Sequence, residues 1–395
     1  MQRQLALFGR DPAIQQLIAA KLRDASLPMG TRRLILRSMA EAGLKEVPAA
    51  WIAALGERLA EADEEIVRTT ISTIRALPLE KADVSDLNLA LWRLAGAASM
   101  PEDLRVDALA AVTGGAGALE APIFALLLRR VDSGQPTTGR SAAANVLASA
   151  KLSQAQLLQL AEALKSVGPM ELNRLLEAFS DTTDESVGLA FVAALKESRA
   201  RSSVRVDLLR QRLGQFPASV QDAGQELLAW LNVDPAEQNA RLNQLLGELT
   251  GLQADVRRGQ LVFNSQQTAC ATCHTIGYLG GKLGPDLTSI GQIRTERDLL
   301  EAVLYPSASF VRSFEPVIVT TKDGEEYGGV VANETADELV LTVAADSRVR
   351  VSKVDIAELR PGTVSVMPTG LDEQLSKQEL ADLLAFLKNT RWGPQ

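Results

Sequence analysis

Histidine and cysteine are almost absent: the 395 residues hold one His and two Cys. A closed zinc site takes four ligands, usually Cys and His, so zinc here would need a carboxylate or a water to complete its shell. A basic excess is missing too. Against 49 Asp and Glu there are 41 Lys and Arg, a formal net charge of −8, which argues against a nucleic-acid partner. The longest apolar run, Val187 to Leu195, falls well short of the roughly 18 residues of a membrane-spanning helix, so no membrane span is expected. The first 30 positions carry Arg3, Arg10 and Asp11 without an apolar core segment, and nothing there reads as a signal peptide. Hydrophobic residues make up 46% of the chain, which over this length fills two or three compact units rather than one core.

The three scarce residues lie together, in Cys270-Ala271-Thr272-Cys273-His274. In such a C-x-x-C-H run each thiol can add across one haem vinyl group, and the adjacent imidazole can reach the iron from the same side; the motif reads as c-type haem attachment. A thioredoxin-type redox pair would need a βαβ setting, whereas the flanks read as helix before and Gly-rich loop after. A disulfide between Cys270 and Cys273 would close a very small loop and stabilise little, because that stabilisation grows with loop length.

Around the motif the periods change. Val256, Leu261 and Phe263 recur at helical spacing with Gly259 among them, where glycine costs about 1 kcal/mol against alanine; its presence predicts close helix packing. Leu380, Leu383, Leu384 and Leu387 repeat behind a Ser376 to Glu379 capping box and predict a terminal helix over 375–389. Between them lie Gly284-Pro285-Asp286-Leu287, an ordinary turn taken alone, and an amphipathic stretch from Thr295 to Leu304. From Pro316 onward the pattern alternates: Val317 to Thr321, a Lys322-Asp323-Gly324 turn, Glu326 to Ala332, Leu339 to Val343, and Arg348 to Ser352. Asp-Gly between β-branched runs is a strong hairpin signal, so residues 315–360 read as a small antiparallel meander or barrel.

Taken in order, Gly259 to Phe263, Cys270 to His274, Gly284 to Leu287, a late Met367-Pro368 and a terminal helix resemble a class I cytochrome c, over about the last 140 residues. With the hairpin segment and Ser-Val-Met-Pro-Thr-Gly-Leu included, they resemble more narrowly the haem-binding domain at the C-termini of large planctomycete-type multidomain proteins. The resemblance implies one covalent haem c on Cys270 and Cys273, and a crossing of the first and last helices through Gly259, Phe263 and Phe386. It also implies that Pro285 offers its carbonyl to Nδ1 of His274, which orients the ring and raises its basicity. Of six methionines only Met367 follows the motif, and no second histidine exists, so His274 and Met367 are the expected iron ligands; the competing reading of Met367 is a loop residue filling a core gap. Ligation by His and Met raises the reduction potential and leaves no open position. The 93 positions from His274 to Met367 exceed what the family needs, consistent with an inserted β segment that packs against the haem edge or docks a redox partner.

The first 250 residues read as helix after helix, rich in Ala and Leu. Second helices are expected near Gly30, Glu64, Glu102, Thr138, Met170 and Ser202, and four carry an early arginine, Arg33, Arg68, Arg105 and Arg140, spaced 35, 37 and 35 residues apart. Helix pairs at this period look like HEAT-type repeats; the Trp, Gly, Tyr and Pro pattern of tetratricopeptide repeats is missing. Such arginines commonly pair with acidic residues of the next repeat, a reading preferred to a ligand-binding stripe. A solenoid stabilised by stacking offers an extended surface, and partner docking is its expected role.

The expected organisation is therefore a mainly α chain: a HEAT-like α-solenoid over 1–234, a linker helix over 235–251, and a monohaem cytochrome c domain over 252–395 carrying the β insert. The expected function is single-electron transfer with a redox protein partner or a fused dehydrogenase domain; the chain reads as a carrier rather than an enzyme. Alternatives are the haem-containing subunit or a fragment of a multidomain dehydrogenase, a haem peroxidase, for which a distal histidine is missing, or a structural interaction protein. Covalent haem attachment in bacteria takes place outside the cytoplasmic membrane, so the expected location is periplasmic or otherwise extracytoplasmic, with the chain a mature form or a piece of a longer exported protein.

Overall fold

Asp63 shows how the helices begin: its carboxylate accepts from the Ile66 amide and opens the helix Glu64–Ala76, which buries Ile66, Val67, Thr70, Ile71 and Ile74 along one face. Asp11 and Asp184 cap the helices Pro12–Arg23 and Glu185–Glu197 in the same way, each satisfying amides that a helix start leaves without partners. The computed structural model describes residues 2–391 apart from 25, 80, 232–234, 312, 313, 324, 336, 345 and 346. Gly324 of the expected hairpin turn and position 234, the expected end of the helical repeats, lie outside the described residues. The chain is mainly helical with a small antiparallel sheet, and it divides into two compact units, Met1–Arg130 with Ala142–Gln156 and Val131–Ser141 with Leu157–Gln395.

At the start of the first unit the leading helices each pack on the one two places further along, whereas Ser85–Gly96 packs on its successor Glu102–Ala110. Gln2–Phe8 lies on Met29–Ala40, Pro12–Arg23 on Ala49–Arg58, Met29–Ala40 on Glu64–Ala76, and Ala49–Arg58 on Ser85–Gly96. One continuous core results, from Ile18 and Leu22 through Met39, Trp51 and Ile74 to Leu104. Second helices start at Met29, Glu64, Glu102, Thr137 and Pro169, close to the positions the repeats predict. Near Ser202 there is instead a single 3₁₀ turn, Arg201–Ser203, with the helix proper delayed to Val206.

Three of the four column arginines meet an acid one helix pair further on. Arg33 pairs with Glu65 at 2.8 Å, Arg68 with Asp103 at 2.7 Å and Arg140 with Glu171 at 3.3 Å. Arg105 donates to the Ala95 carbonyl instead. Asp103 holds Arg68 above its ordinary pKa.

The second unit gathers the helices Pro235–Thr250, Val256–Phe263, Glu296–Leu304 and Lys377–Asn389 around Leu242, Phe263, Leu300, Leu304, Leu383 and Leu387. Val256–Phe263 and Lys377–Asn389 cross most closely, because Gly259 has no side chain: a Cβ there would overlap the Asp382 carbonyl. Beside the crossing the Phe263 and Phe386 rings stand 5.5 Å apart at 52°. The buried Asp382 carboxylate receives Arg258 Nε at 2.6 Å, Arg258 Nη2 at 2.9 Å and the Asp255 amide at 2.7 Å. Burial alone would raise its pKa, yet these donors hold it below the usual carboxylate value.

A two-residue hairpin, β1 (Thr275–Ile276) with β2 (Leu279–Gly280), follows the C-x-x-C-H run. The larger sheet comprises β3 (Pro316–Thr321), β4 (Glu326–Glu334), β5 (Glu338–Ala344), β6 (Ser347–Ser352) and β7 (Ile356–Pro361), all antiparallel, in the order β6-β5-β4-β3-β7. Four of these strands follow the alternation in the sequence. The fifth, β7, is exposed along most of its length and so carries no apolar alternation to betray it. Val319, Leu339, Leu341 and Val351 form the core of the sheet. No described helix is long and apolar enough to cross a membrane.

Candidate functional site

Cys270 and Cys273 share one helical turn, Cys270–Cys273, opened by Ala269 at φ +50°. That is the left-handed region, which costs a residue with a Cβ and among the described non-glycine residues occurs only here. The preceding loop over-determines the bend: Thr268 Oγ1 donates to the Val262 carbonyl at 2.9 Å, the Ala269 amide to Ser265 at 3.0 Å, and Gln267 to the Gln374 carbonyl. The buried Arg140 reaches the Gln266 carbonyl at 3.4 Å. Neither cysteine is in a disulfide. Burial pushes the Cys270 thiol above its ordinary pKa, against a smaller opposing pull from Thr268.

The segment after the motif folds back onto it. The Gly281 amide donates to Ala271, Gly284 to Cys273 and Leu287 to Thr275, each at 2.8 Å. These bonds need glycine, since a Cβ at Gly281 would overlap the Thr272 carbonyl and one at Gly280 the His274 carbonyl. A Cβ at Gly284 would sit 2.7 Å from Nδ1 of His274, so the backbone lies directly on the imidazole. The expectation for Pro285 concerned this ring, and the Pro285 carbonyl oxygen lies 2.9 Å from Nδ1. With Nδ1 donating there, Nε2 keeps the lone pair of the neutral ring. Burial lowers the His274 pKa and favours that neutral form, the Pro285 contact opposing it in part.

The structure thus brings Cys270, Cys273, His274 and Pro285 together. Met367 sits on the loop between β7 and the 3₁₀ turn Asp372–Gln374. It is half-buried, its amide donates to Ser365 Oγ at 3.1 Å, and the Ser365 amide donates to Ser307 Oγ at 3.0 Å. Among the described residues no group of three or more His, Cys, Asp or Glu could hold a metal ion.

The donor set fits a covalent haem. Two thiols three residues apart on one turn suit two vinyl groups, and an imidazole with Nδ1 engaged has Nε2 left for iron. Gly284 and Arg140 stand out in the sequence, one in the Gly-Pro-Asp-Leu run and the other among the repeat arginines, but not the close approach of Gly280, Gly281 and Gly284 to the motif or the reach of Arg140 to Gln266; only the glycine density after the motif hints at the first. No family model and no curated protein matches this chain.

Proposed function

We propose that this chain is an electron-transfer protein, in which a HEAT-like α-solenoid is followed by a class I cytochrome c fold with an inserted β meander and one covalent haem c. The observation that carries the reading is the Pro285 carbonyl 2.9 Å from Nδ1 of the only histidine, beside the only two cysteines. The glycine-mediated crossing of Val256–Phe263 with Lys377–Asn389 supports the fold, and helices packing two places along support stacked repeats.

In this reading Cys270 and Cys273 would hold the haem through thioether links, and His274, through Nε2, and Met367 would be the side chains offered to its iron. The haem contributes one-electron exchange at iron. Pro285 holds the His274 ring in one tautomer and raises its donor strength. Cys270, Ile276, Leu287 and Tyr305 all pack against the apolar core of the C-terminal helices, and an apolar shell of this kind would limit solvent access to the cofactor and so tune its potential. With both His274 and Met367 engaged, the haem would offer no position to a substrate, the arrangement of a carrier. The solenoid docks its redox partner or the dehydrogenase domain that feeds it, and the location is extracytoplasmic, where haem attachment takes place.

The test is the chain matured with a bacterial haem-attachment system. Haem that stays with the polypeptide on a denaturing gel, with a low-spin spectrum and a thioether-to-iron band that Met367→Ala abolishes, is expected. Loss of staining in the Cys270→Ala, Cys273→Ala double variant completes it. A chain that takes up no haem, or a Met367→Ala spectrum identical to the parent, overturns the assignment.

A further inference from the structure

The loop that carries Met367 is gripped from outside the C-terminal helices, by the 3₁₀ turn Arg201–Ser203 of the helical repeats, which belongs to the same compact unit. Thr369 Oγ1 donates to the Ser202 carbonyl at 2.7 Å. Ser202 Oγ donates to the Glu373 carboxylate at 2.9 Å. Between these two bonds lies Gly370, at φ +79° and so close to Ser202 that a Cβ would overlap its Oγ. Both the backbone conformation and the approach demand glycine. At its other end the loop is tied by Ser365 to Ser307, so Met367 sits between two anchors.

We infer that Ser202 and Thr369 are positioning residues for the Met367 thioether, which makes the repeat turn part of the redox site rather than only a docking scaffold. The inference rests on the proposed His274 and Met367 ligation. A thioether is a weak, neutral ligand, and how often it leaves the iron depends on how firmly its loop is held. Two side-chain hydrogen bonds and a close glycine contact on the repeat turn restrict the loop in the state that presents Met367. The contact joins residues 167 positions apart, so any movement of the 201–203 turn, for instance when the repeats bind a partner, is transmitted to the ligand loop and to the potential.

The experiment uses the full haem-bearing chain and compares the parent with Thr369→Val, Thr369→Ser and Leu91→Ala, the last a core truncation in the helix Ser85–Gly96, which belongs to the first compact unit. The readouts are the ferric thioether band, the reduction potential and the affinity for imidazole, which competes with Met367 for the iron. Thr369→Val, which keeps the shape but removes the donor, is expected to bind imidazole about fivefold to tenfold more tightly, as loss of one hydrogen bond implies, and to lower the potential. Thr369→Ser should restore both, and Leu91→Ala should melt earlier with both unchanged. Parent-like imidazole affinity in Thr369→Val, or an equal change in Leu91→Ala, overturns the inference while leaving ligation intact. A parent whose band and imidazole affinity match those of Met367→Ala removes the ligation itself, and the inference with it.

Discussion

The Gly284 backbone rests on the His274 ring so closely that a Cβ would stand 2.7 Å from Nδ1, and the next residue, Pro285, accepts from that same nitrogen at 2.9 Å. One dipeptide therefore sets both the position and the tautomer of the only imidazole in the chain.

Gly284→Ala is expected to push the ring off the Pro285 carbonyl. Loss of such a partner to a metal-ligating histidine costs roughly 10–100-fold in metal affinity or activity. Under the proposed attachment to Cys270 and Cys273 with His274 as ligand, haem staining on a denaturing gel should persist, because the thiols are untouched, while the ferric spectrum shifts toward high spin at neutral pH. An unchanged low-spin spectrum would mean that the backbone yields instead of the ring.

Gly259→Ala places a methyl group against the Asp382 carbonyl at the tightest helix crossing. Overpacking of this kind costs about 3 kcal/mol or more where backbone has to move. Urea unfolding monitored by Trp fluorescence should show the midpoint falling, and Gly259→Leu should fall further. Equal stability of the parent and the alanine variant would place the helices further apart than described.

Arg140 and Glu171 are 2% and 1% exposed, and Arg140 also bonds the carbonyls of Ser133 and Gln266. Glu171→Gln leaves a buried guanidinium without its counter-charge and is expected to destabilise by roughly 3–5 kcal/mol, whereas the paired change Arg140→Met with Glu171→Leu should recover most of that. A thermal melt of the three chains separates the outcomes; equal melting of the single and double variants would deny the coupling.

Asp372 is a buried acid whose pKa burial raises to about 6, Arg241 at 3.1 Å offsetting only part of the cost. Since the folded value lies above the ordinary 3.8, the folded chain binds this proton more tightly. The stability it contributes is complete below about pH 4 and is lost as the pH rises to about 6, a change of roughly 3 kcal/mol. Urea midpoints measured from pH 4 to 7 should decline over that window in the parent and stay flat in Asp372→Asn. A decline that persists in the variant would assign the titration to another group.

The amino-acid sequence by itself determined the features that local chemistry writes: the C-x-x-C-H run, the capping box of Ser376 and Glu379, the helices whose apolar residues recur every three to four positions, and four strands whose inward residues alternate. Such signals are readable because each depends on neighbours within a few residues. Tertiary structure alone decided that Arg140 supports Gln266 from 126 positions away, that Ser202 holds Thr369, that Ala269 turns left-handed, and that the exposed segment Ile356–Pro361 pairs as a strand with Pro316–Thr321. Each of these is a single long-range hydrogen bond, close approach or backbone bend whose stability comes from the packed surroundings, and a contact made once leaves no periodic trace in the chain that makes it.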